Sequence, residues 1–281
     1  MGLPMRVAFV LSGGSSLGAS QAGMLQALYE RDIRPGFLVG TSVGAINAAF
    51  IASRSQTTQT ALTLQEIWRR LHRGDVFPAN PIRAGLGFLG LRDHAVSAGA
   101  LRRLIERHVQ FEHLENARVE LHVVASDAAT GDEVRLSAGS AVEAVLASAA
   151  VPGIFPSVSW ESQLLVDGAV ANNTPISHAI ELGADRVIVL QAVGSEPLPQ
   201  LPRGALAAGL VAVGRVLTRR LADDIARYSR EAELIVLSAP QLGGIMPTDF
   251  GHADELIDHG LKRTRALLAQ RGRVVPLARA A

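Results

Sequence analysis

Residues 35–53, PGFLVGTSVGAINAAFIAS, decide the fold that we predict for this chain. A short apolar run leads into the sequence GTSVG at 40–44, and an alanine-rich run follows. This order indicates a strand, a sharp turn and a helix, with Ser42 at the tip of the turn. Any side chain at Gly40 or Gly44 would crowd the strand against the helix.

In that geometry the hydroxyl of Ser42 stands clear of the sheet, at the positive end of a helix dipole. Such a position favours an oxyanion, and the pattern is that of a nucleophile elbow. The alternative is a Gly-Ser turn that merely joins a strand to a helix. Because the pattern is short, the rest of the chain has to decide between the two.

The composition is that of a globular α/β protein. The chain has 281 residues, of which 48% are hydrophobic and 19% charged, and we predict a single domain over 1–281. A net charge of +1 gives no strong field for nucleic acid, so we expect no nucleic-acid partner. Cysteine is absent, which excludes disulfides, thiol catalysis and thiolate metal sites.

The targeting signals and metal motifs that we looked for are missing from the sequence. No H-E-x-x-H motif or paired His/Asp spacing suggests a metal ion. The first apolar run is too short for a secretory signal, and no apolar run reaches the roughly 18 residues of a membrane span. We therefore expect a protein of the cytoplasm or of a membrane surface, with peripheral membrane contact as a candidate interaction.

A second glycine-rich turn follows the first predicted strand, residues 5–11. The sequence SGGSSLG at 12–18 precedes a predicted helix, so its backbone amides are available to an anion. Two anions fit such a turn, a nucleotide phosphate or the oxyanion of an acyl-transfer intermediate. The glycine order is not G-x-G-x-x-G, and Glu30 and Asp32 fall at the helix end and not after a second strand, which disfavours a nucleotide.

Two further segments each have two interpretations. Gly- and Pro-rich residues 74–90 are either an ordinary long loop or part of a mobile cap or lid, which we place at about 74–98. The predicted long helix 205–230 has an apolar stripe, which either packs on the sheet or lies on a membrane surface.

Asp167 is the candidate partner of Ser42. It follows a short predicted strand, 164–166, and acids at strand ends lie on the sheet edge where sites form. Gly168 leaves room for a close neighbour. A serine hydroxyl needs a neighbouring base to become a good nucleophile, and Asp167 either accepts the proton directly or acts through a histidine.

The histidine scheme is a Ser-Asp-His triad, for which the candidates are His178, His252 and His259. His178 and His259 fall within predicted helices, and only His252 has a turn-like neighbour. In ordinary α/β-hydrolases several strands precede the nucleophile, whereas one precedes Ser42 here. These features favour the Ser-Asp scheme over the triad.

Four segments together resemble the patatin-like phospholipase (lipid acyl hydrolase) family. They occur in the family's order: the glycine-rich loop 13–18, the nucleophile motif 40–44, the sequence ASAAVPGIFP at 147–156, and the sequence DGA at 167–169. The resemblance implies a three-layer α/β/α sandwich with a mostly parallel central sheet. It also implies a hydrolase of lipid carboxylic esters, of phospholipase A or esterase type, that needs no cofactor or metal.

The same resemblance assigns roles to residues. It implies a catalytic dyad of Ser42 and Asp167, and an oxyanion hole made by the backbone amides of Gly13, Gly14 and Ser15. Supporting glycines of these motifs are Gly18, Gly40, Gly44 and Gly168. A dyad without histidine predicts an acid limb of activity below that of a histidine-based hydrolase, for which the reference pKa is about 6.5.

Two departures from the family pattern affect the oxyanion loop. The family usually has a third glycine where this chain has Ser15, and Arg or Lys where it has Leu17. The backbone donors survive at Ser15 provided that its φ is not positive, and the loss of a cation affects the preferred substrate charge. The altered loop keeps open a rival function, a hydrolase-like regulatory or binding module with weak activity. A second rival is acyl transfer to an alcohol or coenzyme A, which would need an acceptor site that the sequence does not indicate.

Overall fold

A computed structural model describes residues 5–78, 93–194, 205–239 and 248–271. The strands are β1 Val7–Leu11, β2 Phe37–Thr41, β3 Glu120–Asp127, β4 Glu133–Leu136, β5 Val158–Trp160, β6 Gln163–Asp167, β7 Arg186–Gln191 and β8 Glu233–Ser238. The helices are α1 Ala19–Tyr29, α2 Val43–Ala52, α3 Thr58–Arg70, α4 Arg73–Val76, α5 Gly99–His108, α6 Ala141–Ser148, α7 Ile176–Glu181, α8 Ala205–Tyr228 and α9 Ala253–Arg271.

The eight strands form one mixed sheet with a parallel centre. Hydrogen-bonded neighbours follow the order β5-β6-β3-β2-β1-β7-β8, and β4 also pairs with β3. The strands from β3 to β8 along this path are parallel, whereas β4, β5 and β6 are antiparallel to their neighbours. Because parallel strands end at the same edge, the turns after β1 and β2 lie side by side.

The pairing of β3 brings the two candidate catalytic segments together. Val124 pairs with Thr41 of β2 on one side and with β4 on the other. The next residue, Ala125, pairs with Asp167 of β6 and again with β4. Since β4 occupies one edge of β3, β2 and β6 share the other edge, so Asp167 lies directly beyond the turn that carries Ser42.

Helices cover both faces of the sheet, as predicted for a three-layer α/β/α sandwich. Side chains alternate between the faces along β1. Phe9 and Leu11 belong to the larger core cluster, which includes residues of α1, α2, α6 and α9. Ala8 and Val10 belong to the other cluster, with Ile176 of α7 and Leu221 of α8.

Two segments differ from the sequence prediction or lie partly outside the described residues. The pattern missed β5, a three-residue edge strand whose side chains are half-buried or exposed and so show no apolar run. Of the predicted cap at 74–98, residues 79–92 lie outside the described part; residues 73–76 form α4, and Phe77 is buried.

Helix α8 packs on the sheet through part of its length. Leu221 is buried against the second face of the sheet, whereas Val213 and Val216 are 57% and 68% exposed. Among the residues that the structure describes, no helix has the length and apolarity needed to cross a membrane.

Candidate active site

Ser42 occupies a strained backbone position between β2 and α2. Its φ of 56° and ψ of −127° lie in a region that residues other than glycine rarely adopt. A Cβ at Gly40 would come within 2.7 Å of the Ala45 Cα, and one at Gly44 within 2.1 Å of the Leu11 carbonyl oxygen. Both glycines are therefore needed for the close packing that holds the turn.

The side chains of Ser42 and Asp167 are in direct contact. The Ser42 hydroxyl donates a hydrogen bond to Oδ2 of Asp167 at 2.6 Å, and the other carboxylate oxygen accepts the Ala169 amide at 2.8 Å. Asp167 is only 3% exposed. The carboxylate is thus fixed on both oxygens, with one of them facing the serine proton.

Burial changes the acid–base behaviour of this pair. Desolvation raises the pKa of Asp167 to about 6, against the smaller lowering effect of the hydrogen bonds from Ser42 and Ala169. The ionised carboxylate is therefore a stronger base than an exposed aspartate. We therefore expect an acid limb of activity near pH 6, still below the histidine reference pKa of about 6.5 but by less than an exposed aspartate would give.

Two buried serines that the sequence analysis did not single out support the backbone here. Ser148 accepts the Ser42 amide at 2.8 Å and donates to the Val124 carbonyl at 2.6 Å. Ser126 donates to the Asp167 carbonyl and accepts the Ala171 amide, both at 3.0 Å. Ser148 lies within the segment 147–156 that resembles the family, and that was the available signal.

The glycine-rich loop provides fewer free amides than the sequence suggests. The Gly13 amide donates to the Asn173 carbonyl at 3.1 Å, so it is not available to an oxyanion. In the described part of the chain, no acceptor hydrogen-bonds to the amides of Gly14 or Ser15. The predicted set of three donors is therefore reduced to two, because the loop after Asp167 takes the first.

Close packing explains why glycine, and no larger residue, occupies the other motif positions. At Gly13, an added Cβ would lie 3.2 Å from the Cβ of Ser42. At Gly14, it would lie 2.8 Å from the Cβ of Ala192. At Gly18, the added Cβ would lie 2.6 Å from a methyl group of Val43. At Gly168, it would lie 2.1 Å from the carbonyl oxygen of Val124. Both motif loops thus pack directly against the elbow or β3.

Ser15 has the positive φ that the sequence analysis treated as unfavourable, with a value of 52°. A residue with a Cβ costs about 1 kcal/mol or more in this conformation. The serine therefore carries backbone strain where the family usually has glycine. Its amide nevertheless remains without a hydrogen-bond acceptor in the described residues, and Ser15 lines the same pocket as Ser42.

We expect Ser15→Gly to raise the free energy of unfolding by about 0.5 kcal/mol, because relief of the positive φ exceeds the entropy that glycine adds to the unfolded chain. Urea denaturation measures the change. Glu161→Gly is the control, since Glu161 has a similar φ of 50° far from the loop. A Ser15→Gly protein less stable than wild type, beside a stabilised control, would contradict the strain argument.

The candidate histidines lie elsewhere. His178 Nε2 is 3.0 Å from Oε2 of Glu133, and His252 is near Asp249 and Glu255. His259 is half-buried on α9. In the described residues, none of the three hydrogen-bonds to Ser42 or Asp167, so the geometry favours a direct Ser-Asp contact over the triad.

An apolar pocket begins at Ser42. It is partly open to solvent. Residues of α2, α3 and α5 line it, together with Phe77, Phe155 and Phe250. Phe77 stacks on Phe155 with ring centroids 5.4 Å apart. Within its described lining there is no Arg or Lys, so the pocket suits an uncharged apolar group.

Metal binding finds no support in the described geometry. Across residues 5–78, 93–194, 205–239 and 248–271, no three His, Asp or Glu side chains come together as a metal site would require.

These features bring a serine hydroxyl, a buried carboxylate and an apolar pocket together at one edge of the sheet of an α/β/α fold. The family model described as patatin-like phospholipase matches residues 9–180, which includes the elbow, the glycine-rich loop and Asp167. The chain belongs to the patatin-like phospholipase family.

The chain spans about a quarter or less of the length of the curated relatives that it matches here. An uncharacterized NTE family protein of Mycobacterium tuberculosis, Rv2565, is 32% identical over 176 residues, which cover 59% of this chain and 27% of the relative. Human patatin-like phospholipase domain-containing protein 6 is 28% identical over 68% of this chain and 13% of its own length. Lysophospholipase NTE1 of Cryptococcus neoformans is 28% identical over 68% of this chain and 11% of the fungal protein.

Solved structures share the fold at low sequence identity. The complex of SpcU with ExoU from Pseudomonas aeruginosa matches with a TM-score of 0.50 and 15% identity, over 95% of this chain and 53% of that one. Human GIVD cytosolic phospholipase A2 matches with a TM-score of 0.50 and 10% identity, over 96% of this chain and 62% of that one. These likenesses bear on the fold alone.

Proposed function

We propose that this protein is a lipid acyl hydrolase that cleaves carboxylic esters through a Ser42–Asp167 dyad and an acyl-enzyme. The observation that carries the proposal is the 2.6 Å hydrogen bond from the Ser42 hydroxyl to the buried carboxylate of Asp167, at the mouth of an apolar pocket. A nucleophile, a base in contact with it and a site for an acyl chain are the parts that ester hydrolysis needs.

In the first half of the reaction, Asp167 accepts the proton of Ser42 while the serine oxygen attacks the ester carbonyl carbon. The carbonyl oxygen becomes an oxyanion, for which we assign the amides of Gly14 and Ser15 as donors. A single oxyanion-hole donor is typically worth about 3 kcal/mol of transition-state stabilisation. Protonated Asp167 then gives the proton to the leaving alcohol as the carbon–oxygen bond breaks.

In the second half, water replaces the alcohol. Asp167, again ionised, accepts a proton from the water as it attacks the acyl-Ser42 carbonyl. The same two amides hold the second oxyanion, and the proton returns to Ser42 as the carboxylic acid leaves. Each half uses Asp167 once as base and once as acid, so a pKa of about 6 is well placed for catalysis near neutral pH.

The pocket suggests the substrate class. An acyl chain attached to Ser42 would extend between α2 and α5, past Ile46, Phe50 and Ile105. Leu17, at the position where the family usually has a cation, packs against the core. With apolar walls and no cation at that place, the proposal names an ester of a fatty acyl chain and does not require an anionic headgroup. The relative named lysophospholipase is consistent with such a substrate.

We expect turnover of a series of p-nitrophenyl esters, from acetyl to palmitoyl, with KM falling as the chain lengthens. Each added CH₂ that the pocket buries should lower KM by about fourfold at most. Steady-state kinetics at pH 7.5 measures the trend. A protein that binds long-chain ligands but turns over none of these esters would contradict the proposal and support the regulatory or binding module.

The same assay addresses acyl transfer. Added alcohol or coenzyme A should leave the rate of carboxylic acid release unchanged if water is the acceptor. Formation of the transfer product at the expense of free acid would instead support acyl transfer as the activity.

A further inference from the structure

Asn47 on α2 lies behind the glycine-rich loop and is almost completely buried. Its side-chain nitrogen donates to the Gly18 carbonyl at 3.1 Å and to Oε1 of Gln21 at 2.8 Å. Its side-chain oxygen accepts the indole N–H of Trp68 at 3.1 Å. Asn47 therefore uses both donors and its acceptor within the protein interior.

Gln21 extends this network to the other end of the loop. Its side-chain nitrogen donates to the carbonyls of Ser12 and Leu190, each at 2.9 Å. Ser12 precedes the loop amides and Gly18 follows them. The pair of amides assigned to the oxyanion, at Gly14 and Ser15, is thus held at both ends by one connected set of side chains.

Trp68 connects the network to the acyl pocket. The indole lines the pocket together with Asn47 and stacks on Phe250, with ring centroids 6.2 Å apart. Trp68 lies on α3, and Asn47 lies on α2, one turn after the elbow. One wall of the pocket is therefore hydrogen-bonded, through the side chain of Asn47, to the glycine-rich loop.

We infer that Asn47 is a positioning residue for the oxyanion loop, and that Trp68 acts through it. This inference rests on the proposed function, because it assigns the loop amides to an oxyanion. The physical reason is that a buried amide with a missing partner is costly, so the network has one well-defined arrangement. That arrangement fixes Gly14 and Ser15 relative to Ser42.

Trp68→Phe tests the inference because it removes one N–H donor and keeps an aromatic ring in the pocket wall. If the loop is positioned through Asn47, kcat for the acetyl ester should fall about tenfold, with KM for that ester little changed. The acetyl group is the shortest acyl group in the series, so its kcat reports on the loop. An unchanged acetyl kcat, with only KM for the palmitoyl ester altered, would overturn the inference.

Asn47→Asp is the second variant and acts from the other side of the network. It keeps an acceptor for Trp68 but loses both donors, toward Gly18 and Gln21. We expect a larger fall in acetyl kcat, about 100-fold, again with KM little changed. Either variant alone decides the question, after circular dichroism and urea denaturation confirm that it is folded.

Failure of this inference is distinguishable from failure of the proposed function. If wild type hydrolyses the esters and the folded variants keep the wild-type acetyl kcat, the dyad stands and the positioning role is wrong. If wild type hydrolyses none of the esters, the proposed function itself has failed.

Discussion

Asp167→Asn is expected to lower kcat/KM for ester hydrolysis by about 10³-fold or more while making the protein more stable at pH 8. The activity falls because asparagine cannot accept the proton of Ser42. Both hydrogen bonds can persist, since the amide oxygen accepts from Ala169 and the amide nitrogen donates to the Ser42 oxygen. The local structure should therefore be retained.

The gain in stability follows from the raised pKa. The folded-state pKa of Asp167 is about 6, above its ordinary value of 3.8, so the folded protein binds its proton more tightly than the unfolded chain. The free energy of unfolding of wild type therefore falls as pH rises from about 4 to 6, by an amount of order 3 kcal/mol. Asparagine removes this loss, so the variant should be about 1–3 kcal/mol more stable at pH 8.

Urea denaturation at pH 8 and pH 4.5 measures the effect, and the difference between variant and wild type should shrink at the lower pH. Asp254→Asn is the control, because that carboxylate is 81% exposed in a surface ion pair with Arg69. It should change stability by a few tenths of a kcal/mol at either pH. A destabilised Asp167→Asn protein at pH 8 would show that ionised Asp167 contributes to the fold.

Ser42→Ala is expected to lower kcat by about 10⁴-fold or more, because the nucleophile is lost. Its effect on stability should be opposite to that of Asp167→Asn. The Ser42 hydrogen bond lowers the pKa of Asp167, so its removal raises that pKa further and makes the ionised carboxylate more costly. We expect a loss of about 1–2 kcal/mol at pH 8 that disappears near pH 4.

The same ester assay and urea series measure both effects. Alanine keeps a Cβ at the strained φ of 56°, so the backbone contribution is matched to wild type. Residual hydrolysis above a tenth of the wild-type rate would show that Ser42 is not the nucleophile. Equal destabilisation at pH 4 and pH 8 would show that the loss of stability does not arise from the ionisation of Asp167.

The elbow and the strand-end acid could be predicted from the sequence because close packing restricts which residue types occur at nearby positions. The glycines at 40 and 44 are required by backbone contacts below 3 Å, and such contacts restrict residue type wherever they occur. Asp167 was a candidate because it directly follows a strand, at the sheet edge where sites form. The mostly parallel centre of the sheet was implied by the resemblance to the family, and it agrees with buried strands that alternate with helices.

What the sequence could not predict depends on contacts between distant segments. The Asn173 carbonyl that occupies the Gly13 amide comes from 160 residues away along the chain. The raised pKa of Asp167 arises from burial, which a motif does not record. Asn47 looked like one polar residue in an alanine-rich helix, because its partners Gln21 and Trp68 lie on other helices.

The rate at which a fluorophosphonate labels the protein, followed by mass spectrometry from pH 4.5 to 9, tests the dyad most directly. Labelling should occur at Ser42, with a rate that rises through a midpoint near pH 6 as Asp167 ionises. Asp167→Asn should label slowly at every pH. Labelling at another residue, or a rate at Ser42 that does not depend on Asp167, would contradict the account.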